Sequence, residues 1–328
     1  MRMTISLLLL CALAACGGGS STPEQPSSPT LARDEWLFDS TRASTNHEIF
    51  LMKADGSGIR RLTNDALYEN WWPRVSPDRK RVLFYRAPAG LSEHYELASL
   101  WVMNADGSGL TQLRAQGTDG WVVQGHGEWS PDGKSIAMFG GSGANPQIFV
   151  ANAQGTALQQ RTNRPGVNTD VSWSPDGLWL LFNGCPGLPC TPPDYELYIM
   201  PSAGGTATRL TTNSVADYDP YFSPDGRSIA WLSTVDTNGW GGLGFWSIGM
   251  ASISNGATGW VTSNQRWLIN DRQINSKAAW SLDGQQILFH RIAPLEETLW
   301  GLFRINPDGT GLTRLTSTRT GNNEHPSN

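Results

Sequence analysis

The sequence predicts an all-β fold, a six-bladed β-propeller of four-stranded blades, and two repeated turn motifs are the observations that predict it. A Ser-Pro-Asp-Gly-like tetrapeptide begins at Ser76, Ser130, Ser174, Ser223 and Ser281. An Asp-Gly-Ser-Gly-like turn lies between the tetrapeptides, at Asp55–Gly58, Asp106–Gly109, Gln154–Thr156, Gly204–Thr206, Asn255–Ala257 and Asp308–Gly311. A sheet repeated at a period of about 50 residues is typical of propellers, whose blades bury their faces against one another.

Each unit is predicted to contain four short antiparallel strands. Apolar runs such as RVLFY and SIAMF follow the tetrapeptide, others such as LWVM and IFVA precede the second turn, and short runs such as RRLT follow it. Proline presets φ, aspartate bonds to the local backbone and glycine accepts positive φ, so both motifs favour tight hairpin turns.

The two ends of the chain are predicted to share one blade. Residues Asn323–Asn328 align with Asp217–Phe222, the inner strand before a tetrapeptide, and Glu35–Asp39 align with the strand that follows one. An open ring would leave an unprotected strand edge. We therefore expect the C-terminus to supply the inner strand of a blade whose other three strands come from the N-terminus.

Together these repeats resemble the TolB-type propeller repeat, a distant relative of WD-type repeats, over residues 31–328. The matching pattern is Pro-x-Trp/Phe-Ser-Pro-Asp-Gly, an Ile-Ala-Phe-like strand and Asn-Ala-Asp-Gly-Ser-Gly. The resemblance implies a propeller that contacts other proteins in the bacterial envelope. TolB itself carries an additional N-terminal α/β domain, and a predicted tether stands in its place here.

The N-terminus is predicted to be an export signal followed by a lipid anchor. Residues 1–15 contain an apolar run that is too short to span a bilayer, and Leu-Ala-Ala-Cys at its end resembles a lipobox with Cys16 as the lipidated residue. Ordinary cleavage after Ala15 is the alternative. Residues 16–30 are rich in Gly, Ser and Pro, which predicts a disordered tether. Gly17 in place of Asp resembles an outer-membrane address, facing the periplasm or the cell surface.

Charge and cysteine content narrow the class of protein. The formal net charge is −5 and no basic stripe is present, so nucleic acid is not an expected partner. We expect a monomer. In an oxidising compartment Cys185 and Cys190 are predicted to form a disulfide, since a metal site would need further soft ligands nearby.

Binding residues are expected on the face opposite the two turn motifs. That face collects connections of varying length at 86–99, 183–194, 233–244, 262–275 and 291–298, and variable loops on a rigid scaffold commonly carry binding sites. Trp71, Trp121, Trp240 and Trp267 fall in these links and loops, as partner contacts or as covers for the blades.

Two sets of polar residues open the predicted inner strands. Six residues before each tetrapeptide position stand Asn70, Gln124, Asn168, Asp217, Asn275 and Asn323, and four before it stand Trp72, His126, Asp170, Asp219, Lys277 and His325. Sixfold repetition should arrange them around a channel mouth that accepts a peptide loop, a sugar or a cation. Alternatively, the Asn and Asp side chains cap the backbone at the blade entry.

The sequence favours binding over catalysis. It contains no Gly-x-Ser-x-Gly elbow and no His-Glu-x-x-His motif. The best enzymatic alternative is a metal-dependent carbohydrate lyase or hydrolase, with a channel metal held by His126 and His325 together with Asp170 or Asp219. For His47, His94 and His290 we expect solvated or packing roles. We predict an envelope-tethered propeller that binds a protein partner at the channel mouth, without catalytic residues, resident metal or cofactor.

Overall fold

The computed structural model describes residues 29–328 except 192–193, 237–244, 258, 294–297 and 318–320. The predicted signal at residues 1–15, the predicted anchor Cys16, the tether up to residue 28 and Trp240 lie outside the described residues. Within the described ranges, no helix has the length and apolar character needed to cross a membrane.

The chain folds into short β-strands, and helical structure in the described ranges is limited to a 3-10 turn at Thr118–Gly120. In chain order the first strands are β1 (Glu35–Ser40), β2 (Glu48–Lys53), β3 (Arg60–Arg61), β4 (Tyr68–Val75), β5 (Arg81–Pro88), β6 (Ser99–Asn104), β7 (Thr111–Arg114), β8 (Val123–Trp129), β9 (Ser135–Ser142), β10 (Asn145–Asn152), β11 (Gln159–Gln160) and β12 (Asn168–Trp173). The remaining strands are β13 (Trp179–Gly184), β14 (Glu196–Pro201), β15 (Thr208–Arg209), β16 (Asp217–Phe222), β17 (Ser228–Asp236), β18 (Phe245–Gly256), β19 (Gly259–Ile269), β20 (Ile274–Trp280), β21 (Ile287–Ile292), β22 (Gly301–Ile305), β23 (Thr313–Arg314) and β24 (Asn323–Ser327).

Hydrogen bonding groups these strands into antiparallel sheets of the predicted kind. Three sheets are consecutive, β4–β7, β8–β11 and β12–β15, and a fourth has the order β24-β1-β2-β3. Strands β16–β23 form one eight-stranded sheet, because a single parallel pair, Trp246 with Ile274, joins β18 to β20. The predicted all-β propeller with four-stranded blades is confirmed, with four separate four-stranded sheets where the sequence predicts six blades.

The last strand of the chain lies beside the first. Strand β24 is antiparallel to β1, with Glu324 opposite Asp39 and Asn323 opposite Ser40. The Ser40 hydroxyl donates a hydrogen bond to the Asn323 Oδ1 atom at 3.0 Å. Residues far apart in sequence therefore complete one four-stranded sheet.

Apolar side chains between successive sheets form the core. One buried cluster joins β1 and β2 to the next sheet through Leu37, Leu51 and Phe84. Another joins the last strands to the N-terminal sheet through Leu288 and Trp36. Alternation along each strand places apolar residues on both faces of a sheet, so each sheet is covered on both sides.

The two turn motifs lie at the same end of the sheets, which we call the lower face. At the first tetrapeptide the Ser76 hydroxyl donates to the Asp78 carboxylate at 2.6 Å, and Arg79 occupies the glycine position with φ 58°. The backbone N–H of Ala105, which precedes an Asp-Gly-Ser-Gly turn, donates to the Lys80 carbonyl just after that tetrapeptide. Both motifs therefore act as structural hairpins.

The start and the end of the described chain also meet at the lower face. The Leu31 N–H donates to the Arg79 carbonyl at 3.0 Å, and the Arg79 guanidinium donates to the Asn328 side chain at 2.7 Å. The N-terminal segment thus enters the fold beside a tetrapeptide turn.

The structure moves one predicted strand boundary and corrects the expected positions of two tryptophans. The chain reverses close to the predicted turn at Asn255–Ala257, between Gly256 and Gly259, but the two strands that it joins are longer than the repeat predicts, with 12 residues in β18 and 11 in β19. Trp267 therefore lies on strand β19, not in a loop. Trp71 lies within β4 and is fully buried in the core, since its indole packs against Tyr85 of the neighbouring strand.

Candidate functional site

Each inner strand contains one irregularity in its pairing, and a residue with left-handed backbone lies at each of them. In β4, for example, the register with β5 shifts between Trp71 and Arg74. The residues with φ between 47° and 58° at these points are Trp72, His126, Asp170, Asp219, Lys277 and His325. They are the six residues of the second predicted set. A β-bulge bends its strand and redirects the side chain at that point.

Most of these side chains line a central cavity of about 460 Å³ at the face opposite the turn motifs, which we call the upper cavity. Its lining residues are Trp72, Glu93, Tyr95, His126, Asp170, Tyr218, Asp219, Trp246, Ile274, Ser276, His290, Trp300, Glu324 and His325. A cavity of this volume, with aromatic walls and a few convergent polar groups, is typical of ligand-binding sites.

His126 is held by two carboxylates and a phenol. Its Nδ1 atom lies 2.7 Å from Asp170 and 3.4 Å from Asp219, and its Nε2 atom lies 2.9 Å from the Tyr95 hydroxyl. Burial lowers the pKa of His126, but the two carboxylates outweigh burial and raise it to about 9. The imidazole is therefore a fixed cation at neutral pH.

His325 is the second fixed cation. Its Nδ1 atom lies 2.9 Å from the buried Asp39 carboxylate, and its Nε2 atom lies 3.0 Å from the Glu93 carboxylate. Burial lowers the pKa of His325, but Asp39 and Glu93 outweigh burial and raise it to about 10. Asp39 also contacts His47 at 2.8 Å, so one carboxylate orients two imidazoles.

Trp72 lies at the floor of the upper cavity. Its ring stacks against His126 with centroids 4.0 Å apart, and the Lys277 ammonium lies 4.4 Å from the ring centroid. The ammonium also contacts the Tyr221 hydroxyl and lies 3.7 Å from Glu128. Lys277 and Glu128 line a second cavity, the lower cavity, of about 450 Å³ among the tetrapeptide turns.

The first predicted set is buried and bonded to nearby groups at the blade entries. The Asn323 amide donates to the carbonyls of Trp300 and Gly321, and the Gln124 amide donates to that of Ala98. Asp217 accepts hydrogen bonds from Trp231 and from neighbouring polar side chains. The set as a whole, Asn70, Gln124, Asn168, Asp217, Asn275 and Asn323, is at most 3% exposed. This geometry favours the interpretation that these residues cap the backbone.

Comparison with known proteins identifies the kind of propeller. No family model matches the chain. A TolB homolog of Chlorobium chlorochromatii is 33% identical over 107 residues, which are 32% of this chain and 22% of that protein. The crystal structure of TolB from Acinetobacter baumannii matches with a TM-score of 0.68 and 18% identity, covering 90% of this chain and 66% of that one. The chain has the fold of a TolB-like β-propeller.

The TolB-like propeller also shares its fold with an enzyme. An oligogalacturonate lyase from Vibrio parahaemolyticus matches with a TM-score of 0.51 and 11% identity, covering 87% of this chain and 75% of that one. The chain covers well under two thirds of the length of the TolB homolog that it matches in sequence. At 18% and 11% identity, the two structural likenesses show the fold alone.

Among the described residues of this TolB-like propeller, two groups of side chains have atoms close enough to surround a metal ion. One contains His126, Asp170 and Asp219, and the other contains His290, Glu324 and His325. The metal site suggested by the sequence combined His126 with His325. The structure places these two residues in different groups.

Sequence reasoning missed several residues of the upper cavity. Glu93 and Tyr95 lie in the irregular segment between β5 and β6, where the repeat gives no alignment. Tyr218, Ser276 and Glu324 each follow a member of the first predicted set directly. All three lie at the same distance before a tetrapeptide position, so counting back from the repeat could have found them, although their side chains differ in chemistry.

The TolB-like propeller carries one covalent cross-link in its described part. Cys185 and Cys190 form a disulfide, with their Cα atoms 6.0 Å apart. It closes the connection after β13, where the Val167 N–H also contacts the Cys185 sulfur. The disulfide lies in one of the upper-face connections and not in the upper cavity lining.

Proposed function

We propose that this protein is a binding propeller of the bacterial envelope that engages a protein partner at the mouth of the upper cavity. The observation that carries the proposal is the fixed arrangement of charges there, with His126 and His325 each held by two carboxylates. Groups already oriented by neighbours lose little freedom when a partner binds. We propose a monomeric scaffold without catalytic residues or a cofactor.

The proposal includes a ring of six blades closed by the two chain ends. Counting strands β16–β19 and β20–β23 as separate blades gives six, since one residue pair joins them. The pairing of β24 with β1 and the apolar contact between the last strands and the N-terminal sheet support closure. A closed ring would place all six bulge residues around one axis.

The proposal also includes a lipid anchor at Cys16 and removal of residues 1–15. The lipobox-like Leu-Ala-Ala-Cys supports it, and Gly17 supports an outer-membrane destination. Growth with labelled palmitate should label the wild-type chain, and Cys16→Ser should abolish labelling and release the protein from the membrane fraction. Labelling that persists in the Cys16→Ser variant would refute the anchor.

Partner binding is tested by quantitative capture from envelope extracts. The bait variants are Glu93→Gln, at a half-exposed cavity carboxylate, and the double variant Asp219→Ala with His325→Ala. We expect one protein to be enriched on the wild type and lost from both variants, provided that their melting temperatures show a folded bait. Asp55→Ala with Asp106→Ala, at exposed lower-face turns, is the matched control and should retain it. Equal recovery on all baits would contradict the proposal.

A metal-dependent carbohydrate lyase or hydrolase is the second candidate. The grouping of His126, Asp170 and Asp219 favours it, because imidazole and carboxylate ligands suit a catalytic divalent metal. Elemental analysis of protein purified without chelator, combined with a titration of tryptophan fluorescence with uronate oligosaccharides, separates the two. Stoichiometric metal together with uronate binding would favour the enzyme over the scaffold.

A further inference from the structure

Glu324 is a buried carboxyl group without a partner among the described residues. It lies on β24, is 7% exposed and lines the upper cavity. No hydrogen bond or ion pair joins its side chain to another described residue, although its neighbour His325 has two carboxylate partners. Burying a carboxyl group without a compensating contact is costly, so a group that persists in this state indicates a missing partner.

The charges of the channel show what kind of partner is missing. The other carboxylates of the channel line the upper or the lower cavity or contact the histidines of the upper cavity. Each of them has a cation within 4 Å. These pairs are Asp39 with His47 and His325, Glu93 with His325, Asp170 and Asp219 with His126, and Glu128 with Arg74 and Lys277. Glu324 is the carboxylate of this group that has none.

The walls around Glu324 suit an organic cation. Trp246, Trp300 and Tyr218 line the same cavity as Glu324, and the faces of such rings attract ammonium and guanidinium groups. The volume of about 460 Å³ has room for a long side chain. An occupant with a positive head and an apolar stem would therefore match both the carboxyl group and the walls.

A neighbouring histidine indicates a second feature of the occupant. The His290 Nδ1 atom accepts a hydrogen bond from the backbone N–H of His325 at 3.1 Å. An Nδ1 atom that accepts this hydrogen bond carries no proton, so the ring proton of His290 is on Nε2. His290 therefore offers a donor, which a peptide carbonyl beside the cation could accept.

We propose that the upper cavity binds the ammonium or guanidinium group of a basic side chain, lysine or arginine, and that Glu324 is its counter-ion. The cation site is inferred from the unpaired carboxyl group and the aromatic walls. That a peptide brings the basic side chain into it rests on the proposed function.

A metal ion fits this position less well than an organic cation. The His290 nitrogen that is free of the backbone carries a proton and so has no lone pair for a metal. Both nitrogens of His325 already contact carboxylates. A metal at this group would have to break these contacts, whereas a basic side chain needs only the Glu324 carboxylate.

The test measures binding of blocked amino acids by the intrinsic fluorescence of the cavity tryptophans and by calorimetry. The probes are N-acetyl-arginine amide and N-acetyl-lysine amide, with N-acetyl-norleucine amide as the uncharged control. We expect the basic probes to bind, norleucine amide to bind at least tenfold more weakly, and Glu324→Gln to weaken the basic probes by about tenfold or more. Asp132→Asn, at an exposed lower-face turn, is the matched control and should bind as the wild type does.

The outcomes separate this inference from the proposed function. Equal binding of norleucine amide, or unchanged binding of the basic probes to a folded Glu324→Gln variant, overturns the cation site. Calcium or zinc that binds at one equivalent and excludes the basic probes overturns it as well. Basic probes that bind through Glu324 while capture yields no partner would support the cation site and refute the scaffold role.

Discussion

The imidazole of His126 lies against the indole of Trp72, with ring centroids 4.0 Å apart, and the Lys277 ammonium lies 4.4 Å from the same indole. Trp72 thereby separates the upper cavity from the buried cations below it. It does so from a backbone conformation that a bulky residue rarely adopts, with φ 58°.

This conformation predicts an unusual order of stability at position 72. Trp72→Ala should lower the free energy of unfolding by about 3–5 kcal/mol, because a buried indole is lost. Trp72→Gly should be the more stable of the two by about 1 kcal/mol, since glycine accepts positive φ without strain.

Trp71 supplies the matched control for this pair, because it is adjacent, fully buried and outside the left-handed region. There the glycine variant should be less stable than the alanine variant by about 0.5–1 kcal/mol. Urea unfolding of the four variants measures both differences, and the same order at both positions would contradict the bulge geometry.

His47 predicts a stabilising contribution that alkaline pH removes. Burial lowers its pKa, but the hydrogen bond and charge of Asp39 outweigh burial and raise it to about 9, with Glu324 adding to the rise and His325 opposing it. A histidine whose pKa is raised on folding contributes its full stabilisation below the unfolded pKa of about 6.5. This contribution is lost as the pH rises through 9. The stability difference between wild type and His47→Gln should therefore shrink between pH 6 and 10.

The exposed His94, paired with the exposed Glu96, is the control for His47. His94→Gln should change the free energy of unfolding little at any pH, because exposed ion pairs are strongly screened. A His47→Gln deficit that grows with pH would reverse the predicted sign.

Replacement of the buried Lys277 by an apolar residue is predicted to stabilise the protein. Its side chain is 1% exposed, and burial lowers its pKa to about 7, with the charge of Arg74 adding to the fall. Glu128 keeps Arg74 as a partner when the ammonium is lost. Lys277→Met should therefore raise the free energy of unfolding by about 1–3 kcal/mol at pH 7.

The pH dependence checks the cause of that gain. Because the pKa of Lys277 is lower in the folded state, the charged ammonium lowers the free energy of unfolding below about pH 10, and the loss grows as the pH falls to 7. Above the unfolded pKa the side chain has no such cost. The advantage of Lys277→Met should thus vanish near pH 11, whereas Lys53→Met, at an exposed position of β2, should show no such trend. If the stability gain of Lys277→Met did not change with pH, packing alone and not the buried charge would be its cause.

The shared N-terminal sheet predicts a large effect of a short truncation. Residues Asn323–Ser327 are all buried, and β1, which also pairs with β2, would lose one of its two neighbouring strands without them. Deletion of residues 322–328 should lower the free energy of unfolding by roughly 5 kcal/mol or more, seen as a large fall in melting temperature. Deletion of Asn328 alone, which lies outside β24, should have a much smaller effect. An unchanged melting temperature in the longer truncation would refute the shared sheet.

The repeat made the inner strands and their central positions predictable. Counting back from each tetrapeptide found Trp72, Asp170 and the other bulge residues, because identical turns impose identical registers. The bulge itself left no signature, since its residues range from tryptophan to lysine. Glu93 was not predictable, because it enters the cavity from a connection outside the repeated motifs.

The outer strands illustrate the opposite limit. The chain does reverse near Asn255–Ala257, yet β18 and β19 contain 12 and 11 residues, where the repeat predicts short strands. Tertiary packing decides how far an outer hairpin continues, and a short motif does not contain that information. The inner strands are better determined because neighbours constrain them on both sides.

The contact of Leu31 with Arg79 fixes the direction from which the chain reaches the propeller. Leu31 enters among the tetrapeptide turns, whereas Glu324 and the aromatic walls open at the far end of the same strands. A protein held to a bilayer through residues before Leu31 would have its point of attachment on the face of the turns, away from the cavity opening. A visiting basic segment could then reach Glu324 without passing between the protein and the membrane.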